Sequence, residues 1–367
     1  MRVRVPLRIA ATLACFAAAA AVADPLRIAT YHAELGQKGP GVLISKILKG
    51  DRQVTAVVEV IGAAAPDVLV LNGIDWDMGG HALTALADRL AEAGLDYPYR
   101  FAALPNAGLE SGFDLDGNGR LGEARDAQGY GAFTGAGGMA VLSRLPLGEV
   151  RDFSAFLWAD LPGAIPPEVD GAPFPSAEAA AARRLSSVAH WDVPVETAGG
   201  PVHLLAFSAT TPVFDGPEDL NGRRNHDEIA FWQRLLDGDL PFAPPAGPVV
   251  VIGTVNLDPA DGDGRPEAIR ALLDDPRFTD PLPASPGGAA AATPGQGGDP
   301  GLDTADWDEP VPGNLRVDYV LPDARLRVTG TGVVWPAPDD PFAKTVEAAS
   351  RHRLVWVDVE TDQAASD

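Results

Sequence analysis

Short apolar runs recur along the chain and alternate with polar or Gly/Pro-containing segments. Runs rich in Val, Ile and Leu that end at turn residues predict buried strands, whereas a 3.6-residue apolar period predicts helices. The predicted strands span 26–31, 67–71, 138–143, 186–196, 202–209, 248–256, 315–322, 326–335 and 353–360. The predicted helices span 53–64, 81–94, 224–238 and 266–275. Many strands with few helices indicate two packed sheets with helices outside them.

The N-terminal segment differs from the rest of this pattern. Residues 1–23 combine three arginines, an Ala-rich apolar run and small residues before Asp24, which is typical of a secretory signal cleaved after Ala23. A membrane anchor is the alternative, although no charged stop-transfer flank follows the run. We therefore expect a periplasmic or secreted protein whose single domain spans 24–367, with no membrane span after cleavage. Cleavage would also remove Cys15, the single cysteine.

The segment 284–301 is rich in Gly, Pro and Ala and carries no apolar period. Such a composition predicts a flexible surface excursion within the domain rather than a linker between domains.

The formal net charge of the chain is −23 at pH 7. A field of this sign repels polyanions, so it argues against nucleic acid as a partner. A solvated acidic surface that favours solubility is the plainer interpretation.

An acidic loop follows the pattern D-x-D-x-N-G with Asp114, Asp116 and Asn118. This spacing opens a calcium-binding loop of the EF-hand type, in which the twelfth position carries a bidentate acid. Here the twelfth position is Arg125, so the motif is incomplete. The flanking acids that could replace it are Glu123 and Asp126. Calcium and an Asx-rich turn without metal remain alternative interpretations.

Eight segments, taken in order, resemble the endonuclease/exonuclease/phosphatase superfamily, which includes deoxyribonucleases, sphingomyelinases and inositol-phosphate phosphatases. They are "RIATYHAELG", "PDVLVLNGIDWD", "GMAVLSRLPL", "RRLSSVAHWDVP", "LLAFSATTPVFDGPEDLNGRRNHDE", "VVVIGTVNLDP", "NLRVDYVLP" and "ASRHRLVWVDV". The resemblance covers 25–361 and is strongest to exported bacterial members. It implies a four-layer α/β sandwich of two packed mixed β-sheets flanked by helices, of the deoxyribonuclease type. It also implies phosphoester hydrolysis assisted by Mg²⁺ or a similar divalent ion, at one end of the sheets.

The resemblance also places the site residues, and most of them are changed. The family positions that this chain retains are Asn256, Asp318 and His352. The degenerate positions are His32 for an Asn, Gly73 for the metal-binding Glu, Ser208 for a His, and Thr254 and Arg351 for two Asp residues. Mg²⁺ prefers hard oxygen ligands, and three of these changes remove carboxylates. We therefore expect a catalytically impaired protein.

Three other interpretations of the same positions remain open. The site could be an active metal-dependent phosphodiesterase or phosphatase of unusual composition. Arg351, His352 and His32 could instead form a metal-free pocket for a phosphorylated or acidic small molecule, unless Arg351 is neutralised by Asp318 or another acid. His32 and His352 could also bind zinc together with Asn256 or Asp258.

The polar segment 214–228, "FDGPEDLNGRRNHDE", leads into a predicted helix. Asn225 followed by Glu228 resembles a capping box, so we interpret the segment as a structural corner rather than a substrate-binding loop. His190 and Trp191 lie in an alternating strand and are interpreted as packing residues.

Overall fold

A computed structural model describes residues 25–361, so the predicted signal at 1–23 lies outside the described residues. The strands are β1 Leu26–Leu35, β2 Val68–Ile74, β3 Tyr99–Phe101, β4 Gly138–Ser143, β5 Arg151–Asp152, β6 Glu168–Val169, β7 Ala172–Pro173, β8 His190–Thr197, β9 Gly200–Ser208, β10 Val249–Thr254, β11 Asp318–Pro322, β12 Arg327–Val333 and β13 Val355–Glu360. The helices are α1 Val42–Leu48, α2 Arg52–Ala64, α3 His81–Glu92, α4 Ala177–Ala182, α5 Leu220–Asp237, α6 Pro266–Leu273, α7 Pro286–Ala290 and α8 Ala343–Ala349.

The strands form two large mixed sheets, as the resemblance implies. One sheet has the order β12-β13-β1-β2-β4-β3, and the other has the order β11-β10-β9-β8-β5. In each sheet one central pair is parallel, β1 with β2 and β9 with β10, and the flanking pairs are antiparallel. The carboxyl halves of these four central strands carry four of the positions that the resemblance assigns to the site: His32, Gly73, Ser208 and Thr254.

The apolar side chains of the central strands divide into three layers. On β10, Val250 and Ile252 join the core between the two sheets, whereas Val251 packs under the outer helices α5 and α6. On β2, Leu69 and Leu71 pack under the helices of the other sheet. Strands buried on both faces are continuous apolar runs rather than alternating ones, which explains the pattern in "VVVI". The result is a helix–sheet–sheet–helix sandwich.

Several helix and strand boundaries differ from the sequence prediction, and those of α5 and β8 bear on the earlier interpretations. Helix α5 begins at Leu220 rather than at 224, so Asn225 lies inside the helix and does not cap it. The capping-box interpretation is therefore wrong. Strand β8 begins at His190 rather than at 186. Among the described residues, no helix is both long and apolar enough to cross a bilayer.

The Gly/Pro/Ala-rich segment 284–301 packs against the domain, contrary to the expectation from its composition. Gly287 lies so close to the Trp335 ring that a Cβ there would be 2.1 Å from Cδ1. The amides of Gly297 and Gly298 both donate to the Asp261 carboxylate at 2.7 Å. Small residues therefore allow close approach here rather than producing a segment without contacts.

Candidate functional site

Residues from both sheets meet at the carboxyl ends of the central strands. Thr254 at the end of β10 pairs with Ser208 at the end of β9 and with Asp318 at the start of β11. His32 in β1 belongs to the other sheet. Its ring stacks on that of His352 with centroids 4.4 Å apart. The structure thus brings together the positions that the resemblance named.

A hydrogen-bonded chain connects the retained residues. His352 Nδ1 lies 2.8 Å from Asp318 Oδ2, and the Thr254 hydroxyl donates to Asp318 Oδ1 at 2.7 Å. The Thr304 hydroxyl donates to Asp318 Oδ2 at 3.2 Å. Because a carboxylate only accepts, Nδ1 of His352 carries the proton that it shares with Asp318. The dyad of His352 and Asp318 is therefore intact, with Trp307 edge-on to the imidazole at 5.4 Å between centroids.

His32 occupies the space in front of Gly73. A Cβ placed on Gly73 would lie 2.3 Å from both Cδ2 and Nε2 of the His32 ring. Gly73 also has φ +69°, a left-handed conformation that glycine adopts without strain. The imidazole therefore blocks the direction in which a side chain at position 73 would extend. Burial, reinforced by the neighbouring His352, lowers the pKa of His32 to about 3, so His32 is neutral at pH 7.

Arg351 forms an ion pair with Glu34 rather than with Asp318. Its Nε donates to Glu34 Oε1 at 2.9 Å and its backbone amide donates to Oε2 at 2.8 Å. Burial would raise the pKa of Glu34, but these bonds outweigh it and lower the pKa to about 2. Sequence reasoning missed Glu34. The available signal was its position two residues after His32, because alternate residues of a strand share a face.

The remaining site positions have partners of their own. Asn256, at φ +57°, donates through its amide to Ala209 O at 2.8 Å. The Asp258 carboxylate accepts from three backbone amides, those of Ala260, Asp261 and Arg316, at 2.7–2.9 Å.

The donor set at these strand ends does not fit Mg²⁺. The two acids of the site, Asp318 and Glu34, already bind His352 and Arg351. Their neighbours include the neutral imidazole of His32 and the Arg351 cation, and a cation repels a divalent ion. No step of a metal-assisted reaction follows from this arrangement.

The acidic loop does collect carboxylates. Within residues 25–361, one group of three or more His, Cys, Asp or Glu side chains places its ligand atoms within 4.8 Å of one another, and it consists of Asp114, Asp116 and Asp126. Asp126 is thus the flanking acid that joins the motif, whereas Glu123 accepts from the Asn118 amide at 2.7 Å. Asp116 Oδ1 accepts from the backbone amide of Asn118, two residues on, at 3.2 Å, as in an Asx turn.

The segment 214–228 holds the second sheet to the loops around it. Arg224 donates through its guanidinium to four backbone carbonyls, those of Gln128, Arg184, Leu185 and Ser186, at 2.6–2.9 Å. These contacts are those of a structural corner.

Other residues of this corner and strand β8 are also engaged within the fold. Glu228 accepts from the backbone amides of Ser187 and Thr210 at 2.5 and 2.6 Å. His190 contacts Ser186 Oγ and Glu228 O at 2.9 and 3.0 Å.

Comparisons with known proteins concern the family and the fold of the chain. A sequence model of the Endonuclease/Exonuclease/phosphatase family matches residues 39–367, which begins after β1 and therefore leaves out His32. No curated protein matches the chain.

Solved structures share the fold at low sequence identity. An endonuclease/exonuclease/phosphatase from Beutenbergia cavernae is 22% identical with a TM-score of 0.53, over 92% of this chain and 72% of that one. A family protein from Leptotrichia buccalis is 14% identical with a TM-score of 0.51, and the match covers 91% of this chain and 99% of that one. A beta toxin from Staphylococcus aureus, solved with bound magnesium ions, is 14% identical with a TM-score of 0.48, and the match covers 91% of this chain and 99% of that one. With the family match across most of its length and this shared fold, the chain belongs to the endonuclease/exonuclease/phosphatase family.

Proposed function

We propose that this chain is an exported family member that no longer hydrolyses phosphoesters with a divalent metal. The observation that carries the proposal is the His32 ring, 2.3 Å from where a Cβ on Gly73 would lie. The resemblance expects the metal-binding Glu at position 73. The neutral imidazole of His32 fills the space that the side chain of this Glu would need. The substitutions at positions 73 and 32, on the neighbouring strands β2 and β1, are therefore complementary.

The charge at Arg351 supports the same proposal. A guanidinium stands where the resemblance places an acid, and it neutralises Glu34, a nearby carboxylate. Removal of one well-placed catalytic donor typically costs about 3 kcal/mol in transition-state stabilisation. Such losses are not additive, but several coincide at this site.

An assay of phosphodiester and phosphomonoester hydrolysis tests this proposal. Bis(p-nitrophenyl) phosphate and p-nitrophenyl phosphate would each be incubated with Mg²⁺, Mn²⁺ or Ca²⁺, and with a chelator. We expect equal, background-level rates for the natural chain and for His352→Ala. Metal-dependent turnover that disappears in His352→Ala would instead establish an active enzyme with an unusual site, the alternative that the intact dyad of His352 and Asp318 favours.

A restoration experiment tests the cause of the loss. The resemblance alone suggests Gly73→Glu, Ser208→His, Thr254→Asp and Arg351→Asp. The structure adds His32→Asn, because the imidazole would collide with any side chain at position 73. We expect calorimetric Mg²⁺ binding in the fivefold variant but not in the fourfold variant that retains His32. Equal Mg²⁺ binding by both folded variants would contradict the assigned role of His32.

The other interpretations of the site receive less support. The anion pocket needs free cations, but Arg351 is paired with Glu34 and His32 is neutral at pH 7. Calorimetry with inorganic phosphate and inositol hexakisphosphate tests it, and a saturable heat would revive it. In the zinc interpretation, the Asp258 oxygens already accept from backbone amides and the Asn256 side chain donates to Ala209 O. Among residues 25–361, His32 and His352 belong to no cluster of three His, Cys, Asp or Glu ligand atoms.

Calcium at the acidic loop stays a prediction from the sequence, now with Asp126 as the third carboxylate. A thermal unfolding midpoint that rises with Ca²⁺ in the natural chain but not in Asp116→Asn supports it. A midpoint that responds to neither Ca²⁺ nor chelator contradicts it.

Export likewise remains a proposal that rests on the composition of residues 1–23. Expression in a bacterial host, followed by N-terminal sequencing of the periplasmic fraction, should show a chain that begins at Asp24. Retention of the uncleaved chain in the membrane fraction would favour the anchor.

A further inference from the structure

An open cleft lies beside α4, away from the strand ends that carry the retained dyad. Its volume is about 240 Å³, and its walls include the side chains of Trp158, Pro167 and Phe174 and the alanines of α4. Arg183, the residue after α4, also lines it. The cleft is therefore an apolar space with one buried basic group in its wall.

Arg183 has no acid as a direct ion-pair partner, although the charge of the nearby Asp116 acts to raise its pKa. The side chain is buried, and its Nη2 donates to the carbonyl of Leu115. Among residues 25–361, no Asp or Glu forms an ion pair with it, and its side chain makes one hydrogen bond to protein, the bond to Leu115. Glu168 also lines the cleft, but it is exposed to solvent.

The environment of Arg183 makes this charge costly. Burial, together with the nearby Arg224 cation, lowers the pKa of Arg183 to about 9, so the group is still protonated at neutral pH. An isolated buried charge is unfavourable unless a partner neutralises it. A guanidinium binds a carboxylate through two parallel hydrogen bonds, which makes a carboxylate the matching partner.

We propose that this cleft binds a small monocarboxylate with an apolar body, its carboxylate on Arg183 and its hydrocarbon part against Trp158 and Phe174. The inference is independent of the proposed function, because none of these residues belongs to the strand-end site. An engineered cavity of roughly 150 Å³ holds benzene. The volume here suits a medium-chain fatty acid or an aromatic acid rather than a long-chain lipid.

Calorimetry with sodium octanoate tests the proposal on the natural chain. Octanol and octylamine serve as ligands with the same apolar body but no negative charge. We expect saturable binding of octanoate, weaker binding of octanol and none of octylamine. In Arg183→Met, which keeps the side-chain volume, the affinity for octanoate should fall about tenfold or more, as expected for loss of a charged hydrogen bond. Arg52→Met, which removes an exposed cation outside the cleft, is the matched control and should bind octanoate normally.

A second variant keeps the test decisive if Arg183→Met does not fold. Ala177 is exposed and lines the cleft, so Ala177→Phe fills the space without altering Arg183. We expect this variant to fold and to lose octanoate binding. The proposal is overturned if octanoate gives no saturable heat with the natural chain, if Ala177→Phe binds it unchanged, or if octylamine binds equally well.

Discussion

At the scale of single residues, the site shows that one substitution can be understood only with its neighbour. Gly73 taken alone is a lost carboxylate. Beside His32 it is a position where a side chain has no room, since the ring would be 2.3 Å from a Cβ. The absence of a side chain at 73 and the presence of a ring at 32 therefore form one structural unit.

This coupling predicts the outcome of a double-mutant cycle. Gly73→Ala should destabilise the protein by well over the cost of roughly 1–2 kcal/mol for a left-handed non-glycine residue, because the methyl group also meets the imidazole. In a His32→Ala background the loss should fall to about that backbone cost alone. Urea unfolding measures both values. Equal losses in the two backgrounds would show that the ring does not restrict position 73.

At the scale of elements, helix α5 is held by one buried arginine that bonds to four carbonyls. Arg224→Met should lower the free energy of unfolding by about 3 kcal/mol or more, because it leaves buried acceptors without donors. The matched control is its neighbour Arg223, which makes one long hydrogen bond, 3.3 Å, to Ile165 O and a partly exposed ion pair with Asp219 at 4.0 Å. Arg223→Met should change stability by no more than about 0.5 kcal/mol. Urea denaturation that gave similar losses for both would refute the bracing role.

A buried carboxyl group just after the packed segment 284–301 predicts a pH dependence. Asp303 is 1% exposed, and both of its oxygens accept from the Gln296 amide. Burial and the nearby acids Asp258, Asp261 and Asp299 raise its pKa to about 7. The fold therefore favours the neutral form. Its contribution to stability is full below the unfolded value near 3.8 and declines as the pH rises to about 7.

Asp303→Asn mimics the neutral form and should remove this decline. We expect the variant to gain stability over the natural chain steadily between about pH 4 and 7, with a constant difference at higher pH. Thermal unfolding across that range, with the exposed and distant Asp339→Asn as control, measures the effect. A stability difference between Asp303→Asn and the natural chain that did not change with pH would contradict the raised pKa.

At the scale of the whole molecule, the net charge of −23 disfavours association with polyanions such as nucleic acid. Binding to nucleic acid gains most of its affinity from cations placed on phosphates. We predict no measurable binding of a fluorescently labelled DNA duplex at an ionic strength of about 0.15 M. Fluorescence anisotropy tests this, and saturable binding at micromolar concentration would indicate a local basic surface that outweighs the overall charge.

The sequence determined much of the fold because its signals are local. The apolar runs at 67–71 and 249–252 are continuous because both faces of a central strand are buried, and such a run can be recognised from neighbouring residues alone. Element ends were less predictable, as α5 shows, because Asp219 and Leu220 begin the helix without a recognisable capping sequence. The segment 284–301 was misjudged because its packing depends on Trp335 and Asp261, which lie outside it.

The sequence by itself determined which residues stand at the family's site positions, because the order of the motifs carries that information. Only the tertiary structure decided what those residues do. Arg351 and Glu34 are 317 residues apart in sequence, and they meet because β1 pairs with β13. His32 and His352 come within stacking distance for the same reason. Contacts between distant segments depend on sheet pairing and on the space left by neighbouring side chains, and neither is encoded in any local pattern.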